Sequence, residues 1–187
     1  MKILLLIAHP YLHRSKMNAA LLASAAKLPE VEIFDLYETY PDFYIDATAE
    51  RNRLMRTDLL IMQFPFYWYS APALLKEWQD RVITPTRHSP DVPHPLAGKP
   101  LMLTITTGQR LESYLPQVGD SQRLHTMSQL LSPLKQLAHH CGMPLLQPFT
   151  VHGCRHLTLT DLQTHAKRYQ NYLQSLIDQY TIPADGQ

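Results

Sequence analysis

The sequence predicts an α/β fold in which a parallel sheet is covered by helices on both faces. Five apolar runs alternate with five stretches of helical character, and the runs lack polar alternation, as strands buried on both faces require. The segment Gln63-Phe64-Pro65-Phe66-Tyr67-Trp68-Tyr69-Ser70-Ala71-Pro72 also crowds aromatics into one strand-to-helix turn. In an open parallel sheet such turns lie at the carboxyl edge, where ligands bind.

Residues 2–8 form the first strand, a continuous apolar run after Lys2. Residues 17–27, rich in Ala and Leu, form a helix, and 31–36 the second strand. A polar helix over 47–56 leads to the third strand, 59–64, and a helix over 72–82. The fourth strand spans 100–106, a long helix 121–140, the fifth strand 145–151 and a closing helix 161–180. Right-handed crossovers leave few topologies. No Gly-x-Gly-x-x-Gly follows the first strand, so the dinucleotide fingerprint gives way to the flavodoxin-like order 2-1-3-4-5, a three-layer α/β fold around a five-stranded parallel sheet. No internal repeat or low-complexity tract divides the 187 residues, which read as a single domain, 1–187. The segment 84–95 holds four prolines, two histidines and no glycine, and is expected as an ordered surface loop at the edge of the site.

Composition narrows the function. With 45% apolar and 18% charged residues and a net charge of +1, the chain has no massed basic surface, and no nucleic-acid partner is expected. Cys141 and Cys154 are too few and too far apart for a disulfide framework, which suits a reducing compartment. The first apolar run is too short for a signal core or a membrane span, so a cytoplasmic chain is expected. Among the ten histidines, His139-His140-Cys141 and His152, Cys154 and His156 invite a metal reading. Neighbouring helical residues point about 100° apart and no spacing matches a zinc pattern, so no metal is expected.

Three turns carry the candidate site. In the aromatic turn, a strand end and an apolar helix face account for Phe64 and Trp78 as core. Phe66, Tyr67, Trp68 and Tyr69 point in different directions, so no single core face absorbs them, and they could wall a flat conjugated ligand. In the first turn, His9-Pro10 leads to Ser15-Lys16-Met17-Asn18, where Ser15 falls at a helix N-cap. Free N–H groups and the helix dipole there suit a phosphate, although Ser15 serves equally well as a plain cap. After the fourth strand, Thr106-Thr107-Gly108-Gln109 offers hydroxyls and amides for the polar rim of the same ligand, and Gly108 is equally explicable as a turn glycine. The predicted order makes strands one, three and four neighbours, so the three turns converge on one crevice whose parts match flavin mononucleotide.

His9-Pro10 with Ser15 and Asn18, Tyr40-Pro41-Asp42-Phe43, Pro65 to Ser70, Leu74-Leu75-Lys76-Glu77-Trp78 and Thr106-Thr107-Gly108 resemble the NAD(P)H:quinone oxidoreductase family. Within it the chain is most similar to the small bacterial branch that includes the ancillary proteins of glutathione-regulated potassium efflux. The resemblance implies a flavodoxin-like homodimer that takes FMN, and NAD(P)H as co-substrate. His9, Ser15, Lys16, Met17 and Asn18 would hold the phosphate; Phe66, Tyr67, Trp68 and Tyr69 would line the ring system; Thr106, Thr107, Gly108 and Gln109 would meet its pyrimidine side. Tyr114 would help stabilise charge on the reduced ring. Hydride would pass in two-electron steps from NAD(P)H through flavin to a quinone. With no extra segment to cradle an adenine, FMN is expected over FAD.

The resemblance also implies an alternative, a regulatory subunit on the cytoplasmic face of a potassium efflux antiporter, peripheral to the inner membrane. A flavodoxin-type electron carrier fits less well, because such carriers are strongly acidic. Three features depart from the family pattern: Gln109 stands where a second glycine is usual, 87–95 is proline-rich rather than glycine-rich, and no histidine follows Tyr114 closely, with Asp120 near that spacing.

Overall fold

The apolar runs assemble as their alternation requires. The computed structural model describes residues 1–83, 94–115 and 125–181. Within them β1 (Ile3–Ile7), β2 (Val31–Asp35), β3 (Leu59–Pro65), β4 (Leu101–Thr106) and β5 (Phe149–Val151) form one all-parallel sheet in the order β2-β1-β3-β4-β5. The expected flavodoxin-like order is therefore observed. Pairing Ile7 with Gln63 and Pro65 with Thr106 brings the carboxyl ends of β1, β3 and β4 to one edge.

Side chains alternate between the two faces. Ile3, Leu5 and Ile7 join Met17 and Leu21 of α1 (Lys16–Ala25) and Tyr169 and Leu173 of α7 (Leu159–Thr181) in one core. Leu4 and Leu6 face the other core, with Leu54 of α3 (Ala47–Met55), Trp78 of α4 (Ala73–Trp78) and Leu134 of α6 (Ser132–His140). All of β1 is buried, whereas β2, an edge strand, is mostly half-exposed. Each fully buried Leu or Ile contributes about 1.5–3 kcal/mol, so the centre of the sheet carries the stability.

The departures from the predicted elements have local causes. Asp35 accepts the N–H groups of Tyr37 and Glu38 at 2.9 and 3.3 Å and starts α2 (Leu36–Thr39), so Leu36 opens a helix instead of closing a strand. The described part of the long helix is split into α5 (Met127–Leu130) and α6. Pro133 has no N–H for the Gln129 carbonyl, which accepts from the Ser132 hydroxyl instead, at 2.6 Å. β5 is confined to three residues, because Pro148 cannot donate to a ladder. Residues 84–93 of the proline-rich segment, Asp120 and 121–124 lie outside the described residues.

One buried carboxylate joins three elements. Glu50, fully buried on α3, accepts from Trp78 Nε1 at 3.0 Å and from the Tyr40 hydroxyl at 3.1 Å, with Arg53 Nε at 3.5 Å. Burial and Glu50 together push the Tyr40 hydroxyl up to about 12. Trp78 is thus a core residue, as is the fully buried Phe64. Glu50→Ala strands two buried donors and should destabilise the chain by about 3 kcal/mol, lowering Tm by about 6–12 °C. Thermal unfolding followed by circular dichroism measures this, and a fall below about 2 °C would count against the pinning role.

Candidate functional site

The turn after β1 is built around a buried amide. Ser15 caps α1 as expected, its Oγ accepting from the Asn18 N–H at 3.4 Å. Asn18 is buried, and its Nδ2 donates to Ser15 Oγ at 3.0 Å and across the site to Thr106 Oγ1 at 2.9 Å. Gln63, fully buried on β3, donates from Nε2 to Asn18 Oδ1 at 3.0 Å. Gln63 Oε1 has no partner among the described residues, a cost of roughly 1–3 kcal/mol. Met17 is core, and Lys16 is exposed on the first turn of α1. The first-turn N–H groups of Lys16 and Met17 have no acceptor within the helix.

His9 is buried, and its Nδ1 accepts the Tyr11 N–H at 3.1 Å. Burial holds its pKa below the ordinary value, so at neutral pH the ring is uncharged and its proton sits on Nε2 as a donor. The ring meets Tyr67 edge-on at 5.9 Å, tying the first turn to the aromatic turn.

The aromatic turn is strained. Tyr67 and Ser70 bridge in antiparallel fashion, and the two residues between them, Trp68 and Tyr69, have φ of 48° and 63°. Two consecutive positive φ values define the tight turn that normally takes Asn-Gly. Bulky residues there cost about 1–3 kcal/mol each. The strain lifts Trp68 into solvent at 93% exposure, with Tyr67 and Tyr69 about half-exposed beside it. Phe66 is buried beneath them, 6.4 Å from the Tyr114 ring, so the run divides into one core residue and three exposed rings. Beside Phe66 and Tyr69 opens a cavity of ≈ 670 Å³ lined mainly by apolar side chains such as Ile83, Leu131 and Leu134.

The turn after β4 is held by a loop the sequence reading left out of the site. Thr107 N–H donates to Val151 O at 2.9 Å, Cys154 N–H to Thr107 O at 2.9 Å, and Gly153 N–H to Gln109 O at 2.7 Å. The Thr107 hydroxyl donates to the same Gln109 carbonyl at 2.7 Å and lies 3.2 Å from His152 Nδ1. His152 in turn packs against Tyr114, ring centroids 5.1 Å apart. Burial raises the Tyr114 pKa and lowers that of His152. The Gln109 backbone is thereby fixed while its side chain stays exposed. A Cβ at Gly108 would lie 2.9 Å from Nε of the exposed Arg155 side chain, which can move aside, so close approach does not demand the glycine. The sequence pattern presents His152, Cys154 and His156 only as possible metal ligands. Their real structural signal is position, at the end of the fifth strand and the same sheet edge. Burial pushes the Cys154 thiol up to about 11, leaving it unreactive.

Three carboxyl-edge turns, cross-linked and carrying hydroxyls, a neutral imidazole and exposed rings, stand at one edge of a flavodoxin-like fold. The chain belongs to the family described as having a flavodoxin-like fold, whose model matches residues 1–173. It is 40% identical over 172 residues, 92% of each chain, to the glutathione-regulated potassium-efflux system ancillary protein KefG of Cronobacter sakazakii. Among solved structures it resembles an NADPH-quinone reductase from P. pentosaceus at 31% identity and TM-score 0.79, covering 92% of this chain and 97% of the other. It also resembles general stress protein 14 from Treponema denticola, solved in complex with FMN, at 26% identity and TM-score 0.83, covering 94% and 99%. Among the described residues no helix is long and apolar enough to cross a membrane.

Two expectations follow from the site's strain and titration. Replacing Trp68 and Tyr69 together by Asn-Gly should raise stability by about 1–3 kcal/mol, read as a higher Tm, while removing the exposed rings. An unchanged or lower Tm would show that the turn is not strained. His9, His152 and His165 all have pKa values held below 6.5 in the folded chain. The unfolded chain therefore binds more protons just below pH 6.5, and stability falls as pH drops from there toward the folded values. His152→Gln should flatten this decline in urea titrations between pH 6.5 and 5, and an unaltered slope would remove His152 from it.

Proposed function

We propose that this chain is an FMN-dependent NAD(P)H:quinone oxidoreductase, cytoplasmic and homodimeric. The observation that supports this best is the cross-linking of the three turns, which sets a donor-rich first turn beside exposed rings and a hydroxyl-lined rim. The residues present fit FMN. Ser15 and the first-turn N–H groups would take the phosphate with neutral His9 beside them, the rings of Tyr67, Trp68 and Tyr69 would cover the flat system, and Thr107, Gly108 and Gln109 would meet its polar edge. Bound there, FMN would supply a hydride acceptor and donor. The chain's own part is to position, to exclude water with its aromatic turn, and to hold protons near the rim on Tyr114 and His152. The exposed rings and the apolar cavity next to them support a homodimer closing over this edge.

A second reading is favoured by the 40% identity to an ancillary protein of a potassium-efflux system, namely a regulatory subunit at the cytoplasmic face of an efflux antiporter, with or without its own turnover. The fixed rim around Gln109 favours turnover. The visible spectrum of the protein with FMN should show an oxidised flavin band that bleaches with anaerobic NADH or NADPH and returns with a quinone. A protein that neither retains FMN nor bleaches would overturn the enzyme reading, and co-purification with a membrane antiporter would then support the regulatory one.

A further inference from the structure

The hydrogen-bond polarity of the first turn is set from beneath, by Gln63. Gln63 Nε2 lies 3.4 Å from the Asn18 backbone carbonyl, an acceptor that cannot flip, and this fixes which end of the Gln63 amide faces Asn18. The same Nε2 then requires Asn18 to answer with Oδ1, at 3.0 Å. Asn18 Nδ2 is left with two protons, which go to Ser15 Oγ at 3.0 Å and Thr106 Oγ1 at 2.9 Å. Ser15 Oγ also accepts the Asn18 N–H, so both its lone pairs are used and its own proton must point away. Neither hydroxyl proton has an acceptor among the described residues. Ser15 is part-exposed at the mouth of the turn.

We propose that Gln63 and Asn18 form a buried amide relay that holds the Ser15 and Thr106 hydroxyls as hydrogen-bond donors toward the crevice, committing this end of the site to an anionic, phosphate-bearing group. Asn18 is then a positioning residue that acts through Ser15 and Thr106, and so is Gln63, fully buried beneath them. The relay also accounts for the unmatched Gln63 Oε1, since the side chain is retained for the direction of its donor. The inference rests on the reading that a phosphorylated flavin occupies the cleft.

The test compares FMN with riboflavin, which lacks the phosphate, in fluorescence titrations of the wild-type chain, Gln63→Glu and Gln63→Met. A Glu carboxylate only accepts, so Asn18 must offer it Nδ2 and turn Oδ1 to the hydroxyls, drawing their protons inward. The preference for FMN over riboflavin should fall about tenfold or more in Gln63→Glu and about fivefold in Gln63→Met, with riboflavin affinity changed less than about threefold. A plain packing role would weaken both flavins equally. That result, or a preference kept in both variants, overturns the relay, and Gln63→Met decides alone if Gln63→Glu does not fold. If the wild-type chain binds neither flavin, the proposed function fails and inorganic phosphate decides. A phosphate-dependent rise in Tm that Gln63→Met loses supports the relay; no rise, or one the variant keeps, overturns it.

Discussion

A sheet buried on both faces leaves polar chemistry only its edges, and this constraint organises the protein. β1, β3 and β4 are apolar through nearly their whole length, and where they stop, Gln63, Thr104, Thr106 and Thr107 appear as buried polar residues. Such groups cost free energy unless bonded. Thr104 meets the Tyr169 hydroxyl at 3.0 Å, and the others are bonded to the adjoining turns. The bonds that satisfy the strand ends are therefore the same bonds that fix the site.

The edge also carries features that stability alone does not explain. Two bulky residues at positive φ, together with one unmatched buried amide oxygen, cost on the order of 3–9 kcal/mol by general magnitudes. A domain's whole surplus is about 5–15 kcal/mol. Asn-Gly would relieve the turn, whereas an apolar residue at 63 would leave the buried Asn18 Oδ1 without its donor. The place of these features at one carboxyl edge supports the proposed binding role of that edge.

The sheet order was legible because it rests on apolar runs, crossover handedness and a missing glycine fingerprint, all of them local or combinatorial. The three turns were legible through strand adjacency. The sequence did not disclose how side chains divide within a turn: Phe66 and Met17 face the core while Trp68 and Ser15 face out, a choice made by φ and by packing across strands. Nor did it show the loop after β5, because Thr107 and His152 are separated by 45 residues and meet only when β4 and β5 pair. The splitting of the long helix near Pro133 and the brevity of β5 beside Pro148 follow from proline chemistry that the apolar pattern around them masks.

That missed loop bears most on what the site can do. No histidine follows Tyr114 closely in the chain, yet His152 brings an imidazole to its ring from another strand. Both groups are neutral near pH 7, burial holding the His152 pKa down and the Tyr114 pKa up, and the Thr107 hydroxyl lies 3.2 Å from His152 Nδ1. The Gln109 carbonyl, bound by two donors, cannot swing into the cleft, so the longer side chain at that position leaves the rim's backbone in place. A rim assembled from two loops and held by paired hydrogen bonds has its backbone fixed before any ligand arrives. Preorganisation of that kind supports the proposed oxidoreductase over the regulatory reading, because in that proposal charge would develop on a ring held against this rim.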